Sequence, residues 1–263
     1  MVCVNDILRF VETLAPKYMK EDWDNVGLLC GEGNREVRKV LVALDPFLNV
    51  CEEAYEVGAD LIVTHHPLIF TPVKAVTNQD PVGRSLLFLI RNGIAAINAH
   101  TNLDQTHGGV NDVLAKTLEL RNVSLLSPQG TDEAGNEWGL LRAGERDETS
   151  LTEFAAFVKE RLHCSGLRFV DAGKPVCRVA VGGGACGGGL YEVAAAGCDT
   201  FVTSDVKYNQ FWDAKEYGLN LIDAGHFETE NPVCDVLAES LRKEFPEIEV
   251  ILSEKHGDPI QFL

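Results

Sequence analysis

The sequence contains no apolar run of the roughly 18 residues that a membrane-spanning helix needs, so we expect no membrane partner. Its first residues also lack the pattern of a secretory signal peptide. Basic residues are scarce: 23 Lys and Arg stand against 40 Asp and Glu, which gives a formal net charge of −17. Because an acidic surface repels phosphates, nucleic acid is not expected as a partner.

Closely spaced cysteine pairs are missing as well. None of the eight cysteines forms a C-x-x-C pair, and most of them fall within apolar segments. This distribution disfavours a zinc–thiolate site and is typical of buried free thiols in a reducing compartment. We therefore expect a cytoplasmic protein without disulfide bonds.

The order of hydrophobic patterns predicts the fold class. Apolar strand-like runs alternate with amphipathic helical patterns, which indicates βαβ units with mostly parallel sheets flanked by helices. Near Pro128 the chain becomes polar, acidic and rich in glycine, as at a domain boundary. We predict two α/β domains, the second inserted into the first. The first domain is predicted to comprise residues 1–127 and 205–263, and the inserted domain residues 128–204.

Histidines are few, yet their positions are not scattered. Four of the seven directly follow predicted strands. These four are His65 and His66, which are adjacent, His100, and His226. In α/β folds the carboxyl ends of parallel strands are where ligands bind. The adjacent pair alone could equally be one core and one surface histidine, but the four together favour a shared metal site.

Two acids extend this set of potential ligands. Asp104 follows His100 by four residues, and Glu230 follows His226 by four, so each pair fits within one turn. Six ligands exceed the four of a structural zinc and suit two divalent ions. Nitrogen and oxygen donors without thiolates are compatible with Zn, Fe, Mn or Ni. The predicted metal ligands are His65, His66, His100, Asp104, His226 and Glu230.

Three further acids, Asp24, Asp205 and Asp223, are candidates to orient the imidazoles through hydrogen bonds. Acids of this kind are more often surface or capping residues. The segment Gly182–Gly189 contains Gly-x-Gly-x-x-Gly, which fits a dinucleotide-binding fingerprint. Six glycines in eight residues match many patterns, however, and no complete Rossmann half follows. A tight turn or an anion-binding backbone nest is therefore favoured over nucleotide binding.

Six segments in order carry a resemblance to a known family. They are Trp23–Leu28, Thr64–Phe70, Ala99–Asp104, Gly108–Asp112, Ser204–Tyr208 and Asp223–Glu230. In sequence and spacing the chain resembles the YbgI-type, NIF-three-like family with a dinuclear metal centre, whose members are named GTP cyclohydrolase 1 type 2 homologues. The resemblance extends over nearly the whole chain. It implies a two-domain α/β fold and a ring-shaped homohexamer with metal sites facing an inner cavity.

The resemblance also bears on individual residues. The family's ligand positions match the six residues named above. Family members often carry a histidine at the place of Asn209, so an acid/base role is not assigned there. His107 lies where the family tends to have small residues or proline, and it is not counted as a ligand.

We expect a hydrolase-like protein that needs two divalent metal ions and acts on a small molecule. GTP or a related cyclic amidine, amide or phosphoester fits such a site. The alternative is a non-catalytic protein with the same site, which binds metal or has a regulatory role, for example in cofactor assembly. This alternative stays open because a fold and a site do not define a substrate. Phe211, Trp212 and Phe227 could form contacts between subunits or pack within the monomer.

Overall fold

The computed structural model describes residues 1–263, and the chain forms two compact units. The first unit comprises residues 1–103 and 234–257, and the second comprises residues 104–233 and 258–263. Both contain helices and strands, so the predicted α/β class is confirmed. None of the helices combines the length and the apolar character that crossing a membrane requires.

The regular elements are numbered in chain order. The strands are β1 (Gly27–Cys30), β2 (Lys39–Ala43), β3 (Leu61–Thr64), β4 (Ala95–Asn98), β5 (Arg121–Leu125), β6 (Gly130–Thr131), β7 (Glu137–Trp138), β8 (Arg142–Thr149), β9 (Arg168–Val170), β10 (Val176–Val181), β11 (Thr200–Thr203), β12 (Asn220–Asp223) and β13 (Glu249–Leu252). The α-helices are α1 (Val4–Leu14), α2 (Leu48–Glu56), α3 (Pro81–Asn92), α4 (Thr101–Gln105), α5 (Val110–Thr117), α6 (Leu151–Arg161), α7 (Leu190–Ala195), α8 (Tyr208–Glu216), α9 (His226–Glu230) and α10 (Pro232–Glu244). Short 3-10 turns cover Lys17–Met19 and Cys186–Gly189.

The first unit is built on a five-stranded sheet with the strand order β1-β4-β3-β2-β13. All neighbouring strands are parallel except β1, which pairs antiparallel with β4. Apolar residues such as Leu41 and Ile62 pack with Leu86 and Leu89 of α3 to form its core. Strand β3 is buried along its whole length, as its short apolar run predicts. The residue that follows it is therefore held at a fixed place on the carboxyl edge of the sheet.

The second unit contains a six-stranded sheet with the order β5-β8-β10-β11-β12-β9. Its centre, β10-β11-β12, is parallel, and the strands toward both edges are antiparallel. Apolar residues on both faces of this sheet form two cores, one around Phe154 and Val202 and the other around Phe201 and Leu221. Helix α6 begins at a capping box, in which the Ser150 side chain accepts a hydrogen bond from the Glu153 amide.

The unit boundaries differ from the predicted ones of 128 and 204. The structure groups residues 104–127 and 205–233 with the inserted segment. The reason is strand pairing: β5 pairs with β8, and β12 pairs with β11, so both belong to the second sheet. Of the C-terminal strands, only β13 pairs in the first sheet, where it lies beside β2.

Candidate metal centre

Three histidines of the first unit lie together at the carboxyl ends of two neighbouring strands. His65 and His66 follow β3, and His100 comes two residues after β4. These strands are parallel and pair Thr64 with Asn98, so the residues beyond them reach the same edge. The ring centroids are separated by 4.9 Å (His65–His66), 5.2 Å (His65–His100) and 5.6 Å (His66–His100). One ring nitrogen from each lies within 4.8 Å of the others, so the three could hold a metal ion.

The adjacent pair reaches one site because the backbone leaves the strand conformation after Thr64. The Thr64 hydroxyl donates to the carbonyl of His66 at 2.7 Å, and the His66 amide donates to the carbonyl of Leu44 at 2.9 Å. In a continuing strand the two side chains would point to opposite faces. The turn therefore brings His65, which is fully buried, and His66, which is half-buried, to the same side.

Each of these imidazoles has its Nδ1 atom against an oxygen that can only accept a hydrogen bond. The pairs are His65 with the Ala99 carbonyl at 3.0 Å, His66 with Asp45 at 2.7 Å, and His100 with Asp24 at 2.8 Å. Nδ1 must then carry the proton, which leaves the lone pair on Nε2. An imidazole held in this tautomer by a carbonyl or carboxylate is the usual arrangement of a histidine that ligates a metal.

Asp24 is the most firmly held of these acceptors. It is buried, and its second oxygen accepts hydrogen bonds from the amide (3.0 Å) and the hydroxyl (2.5 Å) of Thr101. Burial raises the pKa of Asp24, but hydrogen bonds from His100 and Thr101 outweigh it and bring the pKa to about 2. Asp24 is therefore ionised at neutral pH, and its carboxylate accepts from His100 Nδ1, the kind of orienting contact considered from the sequence.

The second unit brings together the two acids and the fourth histidine of the predicted set. Asp104 lies in α4, and His226 and Glu230 begin and end α9. His226 Nε2 is 3.1 Å from a Glu230 carboxylate oxygen, and carboxylate oxygens of Asp104 and Glu230 lie within 4.8 Å of each other. Both acids are buried. Two buried carboxylates at this separation repel each other, so the pair favours a bound cation.

His226 lies between two carboxylates: its Nδ1 atom is 2.8 Å from Asp205, and its Nε2 atom faces Glu230. Asp205 comes two residues after β11. The backbone of Asp205 is left-handed (φ 51°), a conformation that aspartate tolerates better than most residues. Asp223, the third acid considered, instead pairs with Arg168 and accepts the Val206 amide at 3.2 Å. It orients no imidazole.

Asp45, which orients His66, was missed from the sequence. The signal was present: Asp45 comes two residues after the end of β2, at the same edge of the sheet as His65 and His66. An acid at the carboxyl end of a strand next to a ligand-bearing strand is a candidate for this role.

The glycine-rich segment packs closely against Glu230 of the second unit. The amide of Gly183 donates to Asn111 Oδ1 at 2.7 Å, and the amide of Gly184 donates to Thr229 Oγ1 at 3.0 Å. Gly184 has a left-handed backbone (φ +63°), and a Cβ atom there would lie 2.1 Å from a Glu230 carboxylate oxygen. The segment thus forms the favoured tight turn, and these two amides are used within the protein rather than offered to a phosphate.

The remaining residues considered from the sequence lie apart from these groups. The exposed His107 donates from Nε2 to the Glu137 carbonyl at 2.9 Å. Asn209 is exposed on α8, where Trp212 is also exposed while Phe211 packs against the core. All eight cysteines are free thiols and six of them are buried, as predicted.

Comparisons with known proteins agree on one family. A family model described as Duf34/NIF3 (NGG1p interacting factor 3) matches residues 2–259. A Clostridium perfringens protein named GTP cyclohydrolase 1 type 2 homolog is 34% identical over 263 residues, covering 99% of each chain. Among solved structures, a Bacillus cereus protein related to NIF3 has a TM-score of 0.93 at 26% identity, covering 100% of this chain and 99% of that one. A Staphylococcus aureus protein has a TM-score of 0.90 at 31% identity, with the same coverage.

Proposed function

The chain belongs to the DUF34/NIF3 family, and we propose that it is a metal-dependent, hydrolase-like protein with a dinuclear centre. The proposed ligands are His65, His66, His100, Asp104, His226 and Glu230. The observation that carries the proposal is the common state of three clustered imidazoles: a carbonyl or carboxylate holds the Nδ1 proton of His65, His66 and His100, so each Nε2 is the donor atom. Bound divalent ions would polarise a substrate oxygen and lower the pKa of water.

The donor set supports this kind of metal. It offers nitrogen and oxygen atoms, which suit Zn, Fe, Mn or Ni. The nearby Cys186 thiol has another partner: its Sγ donates to the Gly183 carbonyl at 3.1 Å. Burial, then the charges of Asp104 and Glu230, raise the pKa of this thiol well above its ordinary value.

Two ions per chain are proposed on the number and spacing of the ligands. Three imidazoles of the first unit form one candidate group for an ion. In the second unit Glu230 lies close to both His226 and Asp104, and these three are proposed for the other ion.

The substrate proposed is GTP or a related cyclic amidine, amide or phosphoester. Relatives named GTP cyclohydrolase 1 type 2 homolog support this class. The alternative is a non-catalytic metal-binding or regulatory protein that assists cofactor assembly. Asn209 favours the alternative, because its exposed amide, 3.4 Å from Asp213, provides no group that can exchange a proton.

Asp104→Ala is expected to lower the metal content from two ions per chain to one or none, because it removes a buried carboxylate from the acidic pair. Elemental analysis after metal loading and desalting measures this. Asp213→Ala, which removes an exposed acid of the same unit, should retain two ions. One tightly bound ion in both wild type and Asp104→Ala would exclude the dinuclear centre. Failure of the metal-loaded wild type to turn over any compound of a nucleotide and amide panel would leave the non-catalytic alternative.

We further propose a homohexamer, on the family resemblance and on an exposed aromatic face of α8. Tyr208 and Trp212 are 79% and 54% exposed, and the Trp212 indole donates to the Tyr208 hydroxyl at 3.0 Å. Exposed aromatic pairs are enriched at subunit interfaces. Light scattering is expected to give a mass near six chains, falling to dimers or monomers in Trp212→Asp, with the circular dichroism spectrum retained. A monomeric wild type at micromolar concentration would contradict this.

A further inference from the structure

Two exposed aromatic rings lie directly beside the three imidazoles of the first unit. Trp23 is 60% exposed and Phe70 is 56% exposed. Their ring centroids are 5.6 Å apart, and each lies 6.1 Å from the centroid of the His100 ring, which stands edge-on to both. The two rings thus form an apolar surface that is continuous with the histidine cluster.

The backbone on both sides of these rings is held by hydrogen bonds. Asn25 Nδ2 donates to the Ile69 carbonyl at 2.7 Å, which ties the segment after Trp23 to the one before Phe70. Asn98 at the end of β4 donates to the Asn25 carbonyl at 3.2 Å. Large aromatic side chains that are both exposed and held in position are more typical of binding surfaces than of solvent-facing loops.

We propose that Trp23 and Phe70 form a stacking platform for the planar ring of a heteroaromatic ligand, whose polar part reaches the histidine cluster. The inference rests on the proposed function and names the substrate class of that site. A ring inserted between two others needs about 7 Å between them, two contacts of about 3.5 Å. The 5.6 Å separation and the 55° tilt exclude insertion. The ligand ring therefore lies on the open face of one or both rings.

A planar heteroaromatic ring fits this surface better than the alternatives. Aromatic rings stack on heteroaromatic bases whatever their substituents, because every base presents a π-face. A second protein copy needs roughly 800 Å² on each partner, whereas two half-exposed rings offer at most roughly 300 Å². The surface matches the size of a base, and the His100 edge beside it places the ring substituents near the imidazoles.

The test compares two phosphates that differ in the ring. Calorimetry on the metal-loaded protein measures the affinity for guanosine 5′-monophosphate and for ribose 5′-phosphate, and their ratio reports the ring contact. Wild type is expected to prefer the ring-bearing phosphate by about tenfold or more. Trp23→Ala and Phe70→Ala should each reduce this ratio severalfold without changing the affinity for ribose 5′-phosphate or the metal content. Trp23→Phe should restore most of the preference.

Tyr55→Ala provides a matched control. Tyr55 is 59% exposed in the same unit, but its ring contacts Phe88 instead of His100, so the ratio should not change. A wild-type ratio near one, or a ratio unchanged in both Trp23→Ala and Phe70→Ala, would overturn the platform. A fall in assembly mass in these variants would also overturn it, because the rings would then be a subunit contact. A preference for the ring-bearing phosphate without any turnover would support the platform and contradict the proposed hydrolase activity. Turnover with an affinity ratio of one would support the hydrolase activity and contradict the platform.

Discussion

Gly184→Ala is expected to weaken metal binding by about 10–100-fold, although no ligand is replaced. The new methyl group would lie 2.1 Å from a Glu230 carboxylate oxygen and 3.2 Å from His226 Nε2, so the carboxylate must move. The left-handed backbone adds strain for any residue with a Cβ atom. Both effects act on the acids of the second unit and leave the imidazoles of the first unit in place.

Chelator competition on the purified variant measures this loss. Gly188→Ala is the matched control, since a methyl group there meets no atom within 4 Å and the backbone is not left-handed. The control should bind metal as wild type does. Thermal unfolding of both variants separates loss of binding from loss of fold. Equal metal affinity in Gly184→Ala and Gly188→Ala would show that the turn does not position Glu230.

Asp112→Ala is expected to lower the free energy of unfolding by about 3–5 kcal/mol. Its carboxylate lies 2.6 Å from Nε of Arg142, whose side chain is only 1% exposed. The same arginine donates to the carbonyls of Gly139 at 2.7 Å and Thr106 at 3.1 Å. Removing Asp112 leaves a buried guanidinium without its counter-ion, which is far more costly than the loss of an exposed pair.

Urea unfolding of the variant measures the change. Asp147→Ala is the control, because Asp147 pairs with Arg121 at 2.5 Å on the surface, where the two side chains are 90% and 58% exposed. Exposed pairs contribute little because solvent screens them. A similar change in both variants would mean that Arg142 gains other partners or reaches solvent when Asp112 is removed.

The α/β class and most regular elements could be predicted from the sequence because apolar patterns and the proline and glycine positions indicate the same elements. Strand β3 is a short apolar run that ends at Thr64, three residues before Pro67, and α3 begins at Pro81 and is capped by Gly93. The proposed ligands were found for a related reason: a histidine or acid just past an apolar strand breaks the pattern of burial. A histidine or acid at such a position contributes little to the apolar core, so it indicates a binding role more directly than a surface residue does.

Partnerships across the sheets could not be predicted in the same way. Whether Asp45 or Asp223 orients an imidazole depends on which strands are neighbours, because both acids lie at or just past the end of a strand. Asp223 contacts Arg168 because β9 pairs antiparallel with β12. No local sequence pattern predicts this pairing. The unit boundary was misplaced for the same reason, since strand order is decided by long-range pairing.

The pairing of β13 with β2 also has a consequence for synthesis of the chain. Every strand of the second sheet lies between Arg121 and Asp223, so that sheet can assemble as soon as this continuous stretch has emerged. The first sheet begins earlier but waits for Glu249–Leu252, and until then β2 presents an open edge. The half of the molecule made first on the ribosome is therefore completed last. In the interval that open edge is the place where pairing with another nascent chain is expected.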